Sequence, residues 1–110
     1  MECEAYLIAL GYFDKAISLS YLTVNKSRLI EAYDLRAKTK SFLGKYLESI
    51  IDYSKAIELN PKDSDLYFFR GMSYEYLELN EEALKNMKIS VKLDPCNQLA
   101  VNMVDYLEEK

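Results

Sequence analysis

The chain has 110 residues, a net charge of −4 and a hydrophobic fraction of 50%, with only three glycines and two prolines. This composition favours one folded domain over a disordered chain. No apolar run reaches the roughly 18 residues that a membrane helix needs, so we expect a soluble cytoplasmic (intracellular) protein without membrane insertion.

The residue types also restrict the chemistry. The sequence has no histidine and two cysteines without a CxxC spacing, so it predicts no ordinary zinc site, no other metal and no cofactor. Without histidine, a phosphate-binding glycine loop or facing carboxylate pairs, we expect no enzyme. Nucleic-acid binding is also not expected, because it normally needs a basic face.

Apolar periodicity predicts seven helices. In chain order they span 2–9, 13–25, 28–43, 46–59, 64–77, 80–93 and 97–109. Gly11 and Gly44 are predicted to separate helices. Ser64 and Asn80 lie where N-cap residues belong.

The sequence repeats itself with a period of about 34 residues, a length typical of helical-hairpin arrays. The shift pairs Tyr33 with Tyr67, Arg36 with Arg70, Ala37 with Gly71, Ser49 with Ala83, Ala56 with Ser90, and Pro61 with Pro95. Small residues recur where two helices must approach closely, and proline recurs where a helix must end. A weaker copy precedes these two, since segment 10–17 resembles segment 43–50. The repeats are therefore predicted to be stacked helical hairpins.

These residues resemble the tetratricopeptide repeat (TPR) family, with its aromatic, small and proline positions largely met and its usual leucine replaced by Arg36 and Arg70. The resemblance implies an all-α, right-handed α-solenoid of about three helical hairpins plus a C-terminal capping helix. We expect a single domain, 1–110, with a degenerate or truncated repeat at 1–29, repeats at 30–63 and 64–97, and the capping helix at 98–110.

In this family the first helices of the repeats line a concave peptide-binding groove. The corresponding residues here are Asp34, Leu35, Lys38, Phe42, Asp65, Phe68, Phe69, Met72, Glu75 and Tyr76, continued by Leu99, Asn102, Met103 and Tyr106 on the last helix. The resemblance therefore implies a scaffold or adaptor that holds another protein's helix or extended segment by apolar contact. The alternative is that Phe68 or Phe69 packs against the neighbouring hairpin, or that the C-terminal helix covers them.

Some TPR co-chaperones clamp the terminal carboxylate of heat-shock chaperones with Lys, Asn and Arg side chains. The corresponding positions here are Met1, Ala5, Leu35, Asp65 and Phe69. Because charge-assisted capture of a carboxylate needs such donors, the sequence argues against this subclass.

A second functional hypothesis is self-association. A truncated first hairpin would leave an apolar edge around Tyr6, Leu7 and Leu10, and an open repeat end can pair with a second copy. The chain could also be part of a longer TPR protein.

Overall fold

The computed structural model describes residues 2–23 and 25–110, with side chains for 4–18 and 25–110. The described residues form six α-helices and no β-strand. The helices are α1 (Glu2–Thr23), α2 (Lys26–Phe42), α3 (Tyr46–Leu59), α4 (Ser64–Tyr76), α5 (Asn80–Leu93) and α6 (Gln98–Glu108). None of these helices is both long enough and apolar enough to span a bilayer. From α3 onward, each observed helix end lies at the predicted residue or at its immediate neighbour.

The predicted break at Gly11 is wrong, because α1 continues through it. Gly11 does not adopt a left-handed conformation, and a Cβ placed on it would meet no atom of the described neighbouring residues within 4 Å. A glycine inside a helix weakens it by about 1 kcal/mol relative to alanine but does not end it. The segment 2–23 is therefore one helix rather than two. Val24, near the end of the predicted second helix, lies outside the described residues.

The predicted break at Gly44 is confirmed, and the same turn recurs one repeat later at Glu78. Gly44 has φ +77° and Glu78 has φ +60°. In the first turn the Lys45 amide donates to the Lys40 carbonyl over 2.8 Å, and the repeat-equivalent bond in the second turn is 3.0 Å long. This pattern ends α2 and α4 with a left-handed C-terminal residue, which glycine adopts more easily than glutamate.

The N-caps of α4 and α5 lie one position before the predicted caps. Asp63, rather than Ser64, caps α4, and its carboxylate accepts from the Asp65 amide over 3.0 Å. Leu79 occupies the N-cap position of α5, so Asn80 is its first helical residue. The Asp63 carboxylate satisfies an amide that would otherwise lack a partner at the helix start.

The chain divides into two compact units, residues 1–61 (unit 1) and 62–110 (unit 2). In unit 1, α2 packs against α1 and α3; in unit 2, α5 packs against α4 and α6. The small residues predicted at helix contacts are buried in both units: Ala37, Ser49, Ala56, Gly71, Ala83 and Ser90. They allow close approach of helix backbones, which leaves Tyr53 in unit 1 and Met87 in unit 2 fully enclosed.

Candidate functional site

The α2 face that the sequence assigns to a groove is partly polar and partly apolar. The Lys38 ammonium lies 3.2 Å from the Asp34 carboxylate, one helical turn away. Leu35 is exposed on the same helix. Phe42 is 72% exposed, yet its ring stacks on Tyr6 of α1 with centroids 5.4 Å apart. One side of the Phe42 ring is therefore held in place, while most of its surface faces solvent.

The corresponding face of α4 is divided between packing and exposure. Phe68 and Met72 pack against the buried cluster of Ala83, Met87 and Leu107. These two side chains therefore hold α4 to the rest of unit 2. Their contact with a partner stays a prediction.

The other α4 residues of the predicted set differ in their exposure to solvent. Phe69 meets Phe68 edge-on, with ring centroids 5.3 Å apart, and is half-buried. Asp65 is exposed at the start of the helix and Glu75 is partly buried near its end. Tyr76 is 58% exposed. It stands one repeat after Phe42, so the two repeats each present a largely exposed aromatic at the same repeat position.

The last helix presents the residues named for it by sequence. Leu99 and Tyr106 are 66% and 46% exposed, Asn102 is exposed, and Met103 packs against the unit 2 cluster. The Lys110 ammonium lies 4.7 Å from the centroid of the Tyr106 ring. The α6 surface is therefore apolar along one stripe, with a cation at its end.

Sequence reasoning missed a buried ionic cluster in unit 1. The Asp52 carboxylate is 1% exposed and accepts from Arg36 Nε over 2.8 Å and from Arg36 Nη2 over 2.7 Å. Lys40 Nζ lies 3.1 Å from the same carboxylate. Arg36 Nη1 donates to Asp14 of α1 over 2.7 Å. Arg36 thus joins all three helices of unit 1, and its hydrogen bonds to Asp52 and Asp14 raise its pKa.

The same arrangement recurs in unit 2 with a neutral acceptor. Arg70 Nε donates to Asn86 Oδ1 over 2.7 Å, and Asn86 is 3% exposed. Asn86 stands one repeat after Asp52, as Arg70 does after Arg36. Each arginine also lies 5.6 Å from the ring centroid of the tyrosine one helical turn before it. The sequence did contain a signal for these buried acceptors, because Arg36 and Arg70 replace the leucine that is usual at this repeat position. A repeated Arg at an apolar position requires a repeated acceptor.

Burial also changes the acidity of Tyr53 in unit 1. The pKa of its phenol is raised, first by burial and then by the negative charge of Asp34, while a hydrogen bond with Ser41 lowers it. Ser41 in turn shares a hydrogen bond of 2.6 Å with Ser49. Asp34, although on the proposed binding face, therefore also acts on the interior of unit 1.

Comparisons with known proteins identify the repeat. Residues 30–63 match the tetratricopeptide repeat family model. A wheat (Triticum aestivum) Hsp70-Hsp90 organizing protein is 41% identical over 51 residues, which are 46% of this chain and 9% of that protein. The chain therefore spans less than a tenth of the curated relative it matches.

The fold is similar to that of solved TPR domains. The first TPR domain of Spaghetti (RPAP3), bound to the HSP90 peptide SRMEEVD, is 21% identical with a TM-score of 0.68, and the match covers 94% of this chain and 90% of that one. MamA is 16% identical with a TM-score of 0.73, over 96% of this chain and 74% of that one. Residues 30–63 are therefore a tetratricopeptide repeat, and the six helices of the described residues have the fold of solved TPR domains.

Proposed function

We propose that the chain is a protein-interaction module, a scaffold or adaptor, that binds a helix or an extended segment of another protein. The observation that carries this proposal is the repeated exposed aromatic: Phe42 on α2 and Tyr76 on α4 are 72% and 58% exposed at the same repeat position. Exposed aromatics at defined positions are typical of protein-binding surfaces. No catalytic role is proposed.

The remaining predicted groove residues have different parts in this proposal. Leu35, Phe69 and the two exposed aromatics would provide apolar contact, whereas Phe68 and Met72 would support α4 from beneath. Asp34, Lys38, Asp65 and Glu75 would select the partner by charge. On the predicted groove face, the charges of Asp34 and Lys38 cancel on α2, while Asp65 and Glu75 give the α4 face two negative charges.

We propose further that the partner is not the acidic carboxylate terminus of a heat-shock chaperone. Spaghetti binds such a peptide, SRMEEVD. In this chain, Leu35, Asp65 and Phe69 stand where the resemblance places clamp donors. An acidic peptide end would meet like charge at Asp65, and like charges disfavour binding. Calorimetry with SRMEEVD should therefore show no binding at micromolar concentrations. Micromolar affinity that disappears when the terminal carboxylate is amidated would contradict the proposal.

The main experiment compares two exposed apolar residues of unit 1. A random peptide library displayed on phage is selected on the chain, and enriched peptides are measured by fluorescence anisotropy. Phe42→Ser should weaken binding by about tenfold or more. Leu47→Ser is the matched control, because Leu47 is 65% exposed on α3, outside the predicted groove. Equal affinities of the two variants would place the binding surface elsewhere.

A second candidate function is self-association through α1. This helix exposes Leu7, Ile8 and Tyr12 by 55%, 64% and 71%, and a row of exposed apolar side chains on one helix is typical of an interaction surface. Of the residues predicted for this edge, Leu7 is exposed, Leu10 is half-buried and Tyr6 stacks on Phe42. Analytical ultracentrifugation should show a dimer that Ile8→Glu dissociates. A monomer at all concentrations would exclude this function.

A further inference from the structure

All of the net charge belongs to unit 2. Residues 1–61 contain eight Lys or Arg and eight Asp or Glu, whereas residues 62–110 contain six and ten, which gives the −4 of the whole chain. Three of the six bases, Lys85, Lys88 and Lys92, belong to α5. Helix α6 has no Lys or Arg, and the single base of α4, Arg70, donates to the buried Asn86. Half of the basic residues of unit 2 thus belong to α5, whereas α4 and α6 each carry a net negative charge.

An apolar stripe accompanies these acidic helices. Leu99, Met103 and Tyr106 follow one another at spacings of four and three residues, so they share one face of α6. Leu99 and Tyr106 are 66% and 46% exposed, while Met103 packs against the same cluster as Met72 of α4. The stripe is therefore anchored to the core of unit 2 at its centre and open to solvent on both sides.

The Tyr106 ring at the end of this stripe already lies beside a cation. The Lys110 ammonium lies 4.7 Å from the Tyr106 ring centroid. The pKa of Lys110 is raised, first by its hydrogen bond with Tyr106 and also by the charges of Glu75 and Glu78. A ring face together with two carboxylates is a suitable environment for an ammonium or guanidinium group.

We propose that the surface formed by Glu75, Glu78, Leu99, Met103 and Tyr106, the acidic aromatic surface, binds a partner segment in which Lys or Arg accompanies apolar side chains. The partner's cation would replace Lys110 over the Tyr106 ring, and its apolar side chains would cover Leu99 and Met103. Charge complementarity selects a basic segment over an acidic one. This inference rests on the proposed function, because it specifies the chemistry of the partner.

The test uses peptides selected from the phage library on the whole chain, with a second selection on the Glu75→Gln/Glu78→Gln double variant. Peptides from the first selection should be enriched in Lys and Arg beside apolar residues. Their affinity should fall about three- to tenfold in the double variant, and added salt should weaken binding to the wild type more than to the variant. The matched control is Glu81→Gln/Glu82→Gln, which removes two carboxylates from α5 and should leave affinity unchanged.

Two single substitutions test the cation site itself. Tyr106→Leu keeps an apolar side chain but removes the ring and hydroxyl, so it should reduce the preference for Lys-bearing over Gln-bearing versions of one selected peptide. Lys110→Ala removes the competing internal cation and should strengthen binding of basic peptides by about twofold or more. Circular dichroism of each variant confirms that the helices are intact.

The outcomes separate this inference from the proposed function. Enriched peptides that are neutral or acidic, or that bind the Glu75→Gln/Glu78→Gln variant as well as the wild type, would overturn the inference while the protein-binding function stands. A library that yields no enriched peptide would overturn both.

Discussion

The buried Asp52 carboxylate should be the most sensitive polar position of unit 1. It is 1% exposed and accepts two hydrogen bonds from Arg36, with Lys40 at 3.1 Å. The side chains of Arg36 and Lys40 are only 18% and 16% exposed. Asp52→Ala therefore leaves two largely desolvated cations without their main partner. Removing one member of a buried ion pair typically costs about 3–5 kcal/mol.

The structure places the expected loss at the lower end of that range. Arg36 keeps its 2.7 Å contact with Asp14, which is 62% exposed and accessible to water. We therefore expect Asp52→Ala to lower the free energy of unfolding by about 3 kcal/mol. Asp52→Asn should cost about half as much or less, because an amide oxygen can still accept from Arg36 Nε, as Asn86 does from Arg70 in unit 2.

Urea unfolding followed by circular dichroism at the helical band measures these differences. Asn86→Ala is the matched control, since it removes a buried but neutral acceptor and should cost about 1–2 kcal/mol. A double variant with Arg36→Leu and Asp52→Ala should recover stability, because apolar replacements of a buried pair are often neutral or favourable. If Asp52→Ala costs no more than Asn86→Ala, the ionic cluster does not hold unit 1 together as the geometry indicates.

Three further predictions concern single positions. The Ser90 hydroxyl is buried with no hydrogen-bond partner among the described residues, so Ser90→Ala should raise the free energy of unfolding by about 1 kcal/mol. Ser49→Ala removes a bonded hydroxyl and should lower the free energy of unfolding. A change of the same sign in both variants would contradict the reasoning. A Cβ at Gly71 would lie 3.1 Å from the nearest side-chain atom, whereas Gly11 has open space. Gly11→Ala should therefore stabilise by about 0.5–1 kcal/mol and Gly71→Leu should destabilise by about 1–3 kcal/mol, as thermal unfolding would show; an unchanged melting temperature in both would refute this. Because the pKa of Tyr53 is raised in the folded state, the contribution of its phenol to stability is complete below the unfolded pKa of about 10 and is lost as pH rises above that value. Tyr53→Phe should therefore make alkaline unfolding begin at higher pH. An identical alkaline transition in the variant would refute the assignment.

The helical repeat was determined by local sequence. The repeat period, the recurring small residues and the stops before Pro61 and Pro95 placed the ends of α3 to α6 at their observed residues or at immediate neighbours, because each signal acts within a few residues of its own helix. The break at Gly11 was wrong for the same local reason. Glycine permits a left-handed turn but does not require one, and Gly11 keeps a helical backbone inside α1.

The partners of side chains were decided by tertiary structure. The sequence assigned both Phe68 and Phe42 to the groove, yet Phe68 packs against the core of unit 2 and Phe42 is 72% exposed. Arg36 was recognisable as a departure from leucine, but its acceptor Asp52 lies 16 residues away on the next helix. Sequence periodicity fixes which face of a helix a residue occupies, whereas burial depends on how neighbouring helices cover that face. The sequence alone determined the repeat and its helices, and the packing of those helices decided which aromatics remain exposed and which charges are paired.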